Sequence, residues 1–302
     1  MAIAVIGTGL AGLACAHALS EGGESVTLFD KSLGYGGRMA SRRQADFAFD
    51  HGLPAFDPVG AETIPALDAL PEWNGHGRVA APRMNAFPRA IGQRFDSRMG
   101  TAITRINPHG LTLTDDSGTR HDGFSKIVVA IPAPQAAALL GEDDARFAAL
   151  ADVTYTPCCT LMLGGVADAG KDVMRLEPNG GPIALLIRDD AKPGHPSPAR
   201  CYVAHATVEW SQANLHREKD AIAQGLAEAF AALTGFDPAS ALYRAGHRWR
   251  YCQTAQTVPA PFLLSQDGRI GACGDWCGVD RSGGDARAAW HSGVALGRAL
   301  LA

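Results

Sequence analysis

Apolar positions open the chain as a short unbroken run, Ile3-Ala-Val-Ile6, which breaks into Gly7-Thr-Gly9-Leu-Ala-Gly12. A continuous run of that length predicts a parallel strand buried on both faces. Leu10, Leu13, Ala14, Ala18 and Leu19 then recur at helical spacing, and Glu21-Gly22-Gly23 marks the helix stop. Ser25-Val-Thr-Leu-Phe29 is a second β-branched apolar run, ending at Asp30. The first thirty residues therefore predict one complete βαβ unit.

The pattern is less regular further on. Phe47-Ala-Phe49 predicts a short strand, Pro54 to Pro88 has no clear period, and Pro88 to Arg98 reads as helical. Thr101 to Ile106 and Leu111 to Thr114 alternate around Asn107-Pro-His-Gly110 and predict a hairpin. Lys126 to Ile131 predicts another buried strand, with a helix from Gln135 to Leu150. A second body is expected from strands at Cys158 to Leu163, Ile183 to Ile187 and Cys201 to Ala206, and from a helix over Arg217 to Leu233. Pro193, Pro196 and Pro198 predict an exposed loop between two of those strands. Arg269 to Cys273 and Ala286 to Leu301 return to a strand and a closing helix.

At 302 residues with 46% hydrophobic and 19% charged positions, the chain can bury a large core, and about two domains are expected. Its net charge of −4, with 22 scattered Arg among 27 basic residues, gives no field to recruit nucleic acid or anionic lipid. Seven cysteines at irregular spacings fit no zinc pattern and predict reduced thiols. With neither a signal-like start nor an apolar run of spanning length, a cytoplasmic protein is expected.

The glycine motif gains meaning from its setting. A strand precedes it, a helix follows it, and Asp30 lies 23 residues after Gly7 at the end of the next strand. Glycines permit the tight turn and close approach of a pyrophosphate, the helix start offers unpaired N–H groups, and the carboxylate accepts ribose hydroxyls. The alternative is an ordinary glycine turn with a structural aspartate. Gly36-Gly37-Arg38 then places a second flexible turn and a cation where they could meet the pyrophosphate from the other side.

That pairing of GxGxxG with Gly-Gly-Arg resembles the flavin-dependent amine oxidase superfamily. Thr101-Ala-Ile103, Val128-Val-Ala-Ile-Pro132 and Gly271-Ala-Cys-Gly-Asp275 resemble its further cofactor segments. Within it, Gly36-Gly-Arg-Met-Ala-Ser-Arg-Arg43, Phe49-Asp-His-Gly52, Ala204-His-Ala-Thr-Val-Glu-Trp-Ser211 and His247-Arg-Trp-Arg-Tyr251 resemble the renalase-like branch in order. The resemblance implies an α/β fold: a Rossmann-like FAD domain from residues 1–56, 88–134 and 265–302, and an α+β substrate domain from 57–87 and 135–264. It implies non-covalent FAD held by Gly7, Gly9, Leu10, Ala11, Gly12, Asp30, Lys31, Gly36, Gly37, Arg38, Met39, His51, Gly52, Ile103, Ala130, Gly274, Asp275, Asp285 and Ala286. The helix after Ser282-Gly-Gly-Asp285 would point its N–H groups at the flavin O2 edge.

The implied reaction is oxidation of a reduced nicotinamide dinucleotide or isomer by hydride transfer to flavin N5, with oxygen as acceptor. The late Lys typical of amine oxidation is missing, since no Lys follows Lys219. Candidate pocket residues are His51, Trp210, His247 and Trp276; His205, Trp210, His247 and Trp249 are expected in the substrate body, either as core or as an aromatic wall for a flat ring, with no catalytic side chain assigned and no metal expected. An amine oxidase or desaturase, and a non-catalytic dinucleotide-binding regulator, stay open as alternatives.

Overall fold

The computed structural model describes residues 1–57, 67, 69–141, 144–166, 173–278 and 284–302. Strand β1 (Ala2–Ile6) runs into α1 (Leu10–Glu21), and β2 (Val26–Asp30) follows. Next come the antiparallel pair β3 (Ser41–Gln44) and β4 (Phe47–Asp50), then α2 (Ala86–Gly92) and β5 (Asp96–Met99). Strands β6 (Ile103–Asn107), β7 (Thr112–Asp115) and β8 (Arg120–His121) make a small antiparallel sheet. It is followed by β9 (Phe124–Val129) and α3 (Ala133–Leu140). The long β10 (Thr154–Val166) opens a second group with β11 (Arg175–Leu176), β12 (Ile183–Arg188) and β13 (Arg200–Ala206). Helices α4 (Val208–Asn214) and α5 (Lys219–Thr234) lead to β14 (Tyr243–Gln256). The chain closes with β15 (Leu263–Leu264), β16 (Ile270–Ala272) and α6 (Gly284–Leu301).

Six strands form one sheet in the order β15-β16-β9-β1-β2-β5, parallel except for β15. The apolar run at the N-terminus sits at its centre and is split by the strand's two-residue period. Ile3 and Val5 join the core under α1 and α6, while Ala4 and Ile6 join the core under β7 and α3. This accounts for the lack of apolar/polar alternation: both faces are dry. The second sheet, β11-β12-β13-β10-β14, is antiparallel throughout. On one of its faces Leu161, Leu163 and Tyr202 pack against Ile222, Leu226 and Phe230 of α5. On the other, Met162 and Val203 meet Phe49 of β4.

Three expectations are corrected. Within Pro88 to Arg98 the helix stops at Gly92, and Asp96–Met99 instead extends the parallel sheet as β5, an edge strand whose Asp96 and Arg98 are exposed. Charged side chains on such an edge discourage pairing with another chain. The helix over Gln135 to Leu150 ends at Leu140, with Gly141 at φ +70°, and a separate 3-10 turn covers Ala145–Asp152. The loop marked by three prolines is exposed at Pro196 and Pro198, yet Lys192 within it is fully buried.

Candidate functional site

A cleft of about 1570 Å³ opens between the two large sheets, lined by the β1–α1 turn, the end of β2, residues 36–40 and 51–55, β14, and the start of α6. The three motif glycines serve different needs. A Cβ at Gly7, where φ is +102°, would lie 2.4 Å from the Ala130 carbonyl oxygen, and one at Gly12 would lie 2.0 Å from the Gly7 carbonyl oxygen. Both are demanded by the packing of turn, helix and strand. Gly9 has φ −68°, and a Cβ there meets nothing within 4 Å. No contact in the described fold requires a glycine at position 9. Its bare backbone instead lines the cleft, an open cradle of the kind a pyrophosphate needs.

Gly9 is also the N-cap of α1, and no side chain caps the helix or adds an acid to its first turn. The helix start therefore presents N–H groups and the positive end of its dipole toward the cleft. The α6 start lines the same cleft through Gly284, Asp285 and Ala286. Ser282 and Gly283, which belong to the expected start of that helix, lie outside the described residues.

Asp30 ends β2 at the cleft rim, where one carboxylate oxygen accepts from the Thr8 N–H and hydroxyl, each at 2.7 Å, and the other from the Ser32 N–H at 2.8 Å. These bonds fix the carboxylate orientation. Arg38 reaches across the cleft to Asp275 through both guanidinium Nη atoms, at 2.9 and 2.5 Å, and donates to the Cys252 carbonyl at 2.8 Å. Thr254 donates to the same Asp275 carboxylate at 2.5 Å. Burial alone would favour a neutral guanidine, but Asp275 outweighs it and the Arg38 proton is held more firmly than usual. One planar fork thus joins the Gly-Gly-Arg turn, β14 and the β16–α6 connection.

Beside Arg38 the lining is aromatic. His51 stacks on Trp249 at 5.1 Å between ring centroids and meets His247 edge-on at 4.7 Å, while the Trp249 indole N–H donates to the His51 carbonyl at 2.8 Å. His205 lines the cleft beside them. Burial lowers His51 and His205 to about 4 and His247 to about 3, so all three rings are neutral at pH 7.

Behind His51 lies a buried charge cluster. The Lys192 ammonium is 2.6 Å from Asp189 and 3.3 Å from Asp50, and His195 is 3.4 Å from Asp50. Burial would strip the Lys192 proton, but the two carboxylates outweigh it and hold the ammonium form. Asp50, Asp189 and His195 have ligand atoms within 4.8 Å of one another, and the cation bonded to two of them is Lys192. Asp50 also accepts from the Met84 N–H, so the cluster ties β4 to residues from two other segments.

Of the residues picked out in the sequence, those at 7, 9–11, 30–31, 36–39, 51–52, 103, 130, 247, 274–275 and 285–286 all line the cleft. Gly12 packs beneath the turn instead. Trp210 and Trp276 do not line it: Trp210 packs with the α5 core, and Trp276 is fully buried with its indole N–H on the Ile131 carbonyl. Large aromatics in these positions serve the cores. His205 and Trp249, for which the sequence leaves core packing and an aromatic wall both open, do line the cleft.

Residues 5–68 match the model of the family described as NAD(P)-binding Rossmann-like domain. Over 52 residues, 17% of this chain, the sequence is 46% identical to 4,4'-diapophytoene desaturases of Staphylococcus aureus and Staphylococcus haemolyticus. The chain spans about a tenth of the length of those relatives (10%). A provisionally assigned protoporphyrinogen oxidase from Exiguobacterium sp. 255-15 superposes with a TM-score of 0.70 at 12% identity, covering 99% of this chain and 98% of that one. A putrescine oxidase triple mutant superposes with a TM-score of 0.69 at 11% identity, covering 98% of each chain. The overall fold is the one these two proteins share. Among the described residues no helix is long and apolar enough to cross a membrane.

Proposed function

We propose that this chain, with its NAD(P)-binding Rossmann-like domain set in the fold of those two oxidases, is an FAD-dependent oxidoreductase of the amine oxidase superfamily. In this reading it oxidises a reduced nicotinamide dinucleotide, or an isomer of one, and returns the electrons to oxygen. A cleft of about 1570 Å³ exceeds the roughly 300–1,000 Å³ of a pocket for one ordinary ligand, which suits a dinucleotide with a second planar molecule beside it.

The residues present fit FAD. Gly9, Leu10 and Ala11 at the α1 start would hold the pyrophosphate, Asp30 the adenosine ribose, and Arg38 with Asp275 the middle of the cofactor. The start of α6 would face the ring edge. When bound, FAD supplies a two-electron acceptor at flavin N5.

The observation that carries the substrate reading is the neutral wall of His51, His205, His247 and Trp249. A flat uncharged ring can stack on it without placing a cation against buried imidazoles. An amine arrives as an ammonium ion and must lose a proton, and imidazoles lowered to about 3 or 4 are poor acceptors for it. The Trp249 bond to the His51 carbonyl keeps that wall in place.

The test is direct. The purified protein should carry flavin absorbance, and acid-released cofactor should elute as FAD. Tight binding of NAD with no affinity for FAD would overturn the reading.

A further inference from the structure

The cleft runs on past the residues assigned so far, across one face of the antiparallel sheet. Residues directly opposite each other in an antiparallel ladder share a face. Leu185 pairs with His205, His205 with Thr160 and Thr160 with His247, so the two histidines and Leu185 stand in one row across β12, β13, β10 and β14. In the next row Arg175 pairs with Ile187, Ile187 with Val203 and Val203 with Met162. Val203 and His205 are two positions apart on β13, so both rows project from the same face, the one that meets Phe49. Arg175 therefore shares a sheet face with His205 and His247, and it lines the cleft with them, as does Glu177.

Strand β11, which carries Arg175, is the outer strand on one side of this sheet, and β14 is the outer strand on the other. Arg38 is bound to β14 through the Cys252 carbonyl, so Arg175 lies at the far edge from the Gly-Gly-Arg turn. From β13 to β11 the cleft floor crosses two strand spacings, roughly 9.5 Å. Arg175 and Glu177 are ion-paired, with side chains 22% and 66% exposed, so the arginine is the inner member and the carboxylate the outer one. A pair this exposed adds little stability, and a guanidinium has more donors than one carboxylate oxygen occupies.

We propose that Arg175 and Glu177 form a second nucleotide anchor in the cleft, where the arginine takes the pyrophosphate of a dinucleotide substrate and the glutamate takes the hydroxyls of its outer ribose. The inference rests on the dinucleotide reading above and names how that substrate is held. With the nicotinamide ring against His51 and His247, one ribose and one phosphoester cover the two strand spacings to Arg175. The adenosine ribose then follows outward, where Glu177 stands. A guanidinium meets a phosphate through two parallel N–H bonds. A carboxylate beside a ribose accepts from its 2′- and 3′-hydroxyls and repels a 2′-phosphate, so the anchor selects dinucleotides without that phosphate. The ADP half of the cofactor is served by the α1 start and Asp30 on the parallel sheet, which leaves the β11 end to the substrate.

The test is isothermal titration of the full FAD-loaded chain with ADP-ribose and with ADP-ribose 2′-phosphate, which carry the pyrophosphate and both riboses but no reducible ring. ADP-ribose should bind the wild-type chain, and the 2′-phosphate should bind about 10-fold or more weakly. Arg175→Gln should weaken ADP-ribose by about 10- to 100-fold. Glu177→Gln should narrow the gap between the two ligands. Flavin content and melting temperature of each variant are recorded alongside, and neither should move, because both side chains reach solvent. No ADP-ribose binding to the wild-type chain, equal affinity in Arg175→Gln, or equal wild-type affinity for the two ligands would overturn the proposal. Binding that depends on Arg175, in a chain whose flavin no dihydronicotinamide reduces, would support the anchor while counting against the redox reading. If the chain takes up no FAD, the same titration of the chain as purified decides by the same dependence on Arg175.

Discussion

Replacing Gly9 and Gly12 by alanine should separate cofactor binding from folding. The Gly9 backbone lies at φ −68° and ψ 177°, open to any residue, and its added Cβ meets nothing within 4 Å. Gly9→Ala removes unfolded-state freedom, a gain of about 0.4–1 kcal/mol. It also gives up a tolerable N-cap for a poor one, a loss of about 0.5–1 kcal/mol. The fold should therefore change by less than about 1 kcal/mol. At Gly12 the same methyl would lie 2.0 Å from the Gly7 carbonyl oxygen, and moving backbone to relieve that overlap costs about 3 kcal/mol.

Binding should respond in the opposite order. A methyl in the cradle pushes the pyrophosphate away from the α1 amides, and losing one charge-assisted hydrogen bond costs about 1.5–3 kcal/mol, roughly 10- to 100-fold in affinity. At a free FAD concentration of 100 times the wild-type Kd, ligand binding stabilises the wild-type chain by about 2.7 kcal/mol. For a variant bound 100-fold more weakly the same concentration gives about 0.4 kcal/mol. At about 2 °C per kcal/mol for a chain of this size, FAD should raise the wild-type melting temperature by about 5 °C and that of Gly9→Ala by about 1 °C. The assay is a thermal melt of apo-protein with and without FAD, paired with a flavin fluorescence titration. Wild-type FAD affinity in Gly9→Ala, or an unchanged apo melting temperature in Gly12→Ala, would refute the reasoning.

Three further outcomes are expected. Lys192→Met leaves Asp50 and Asp189 buried without their cation, and urea unfolding should register a loss of about 3–5 kcal/mol; a loss under about 1 kcal/mol would contradict the pairing. Asp275→Asn turns an amide N–H₂ toward Arg38 or Thr254 and should lower apo stability by about 2–4 kcal/mol, read as a fall of about 4–8 °C in a melt; an unchanged melt would count against the fork. The histidines at 51, 205 and 247 are held neutral, at about 4, 4 and 3, so the unfolded chain binds more protons than the folded one below about pH 6.5. Their contribution is complete above that pH and is lost as the pH falls toward 3. His247→Gln should flatten the slope of stability between pH 4 and 6 by up to about 1.4 kcal/mol per unit, and a wild-type chain that gains stability on acidification would have the opposite sign.

The βαβ unit was legible because each of its signals is local: an apolar run, a glycine turn, a helical repeat and a terminal acid all lie within thirty residues. Strand β14 was not read as a strand. Its Gly246 packs against α5, the whole stretch from His247 to Gln253 lines the cleft, and Arg248 also donates to the Leu215 and Arg217 carbonyls, so no apolar face alternates with a polar one. The aromatic wall was therefore legible only in part: His51 and His247 stand out as candidates, while His205 and Trp249 fit a core as well as a wall. Lys192 looked like a loop residue among prolines because the Asp50 that draws it inside lies 142 positions earlier in the chain. Trp210 and Trp276 misled for the reverse reason: a flat side chain near a cofactor motif suits a core as well as a pocket.

Anaerobic stopped-flow reduction, followed at the flavin absorbance band, tests the central claim most directly. The reconstituted protein is mixed with β-NADH, its 2- and 6-dihydro isomers, α-NADH, and a set of primary and secondary amines. At least one dihydronicotinamide should bleach the flavin much faster than any amine, and admission of oxygen should restore the colour with release of hydrogen peroxide. Reduction by an amine, with every dihydronicotinamide leaving the flavin oxidised, would contradict it.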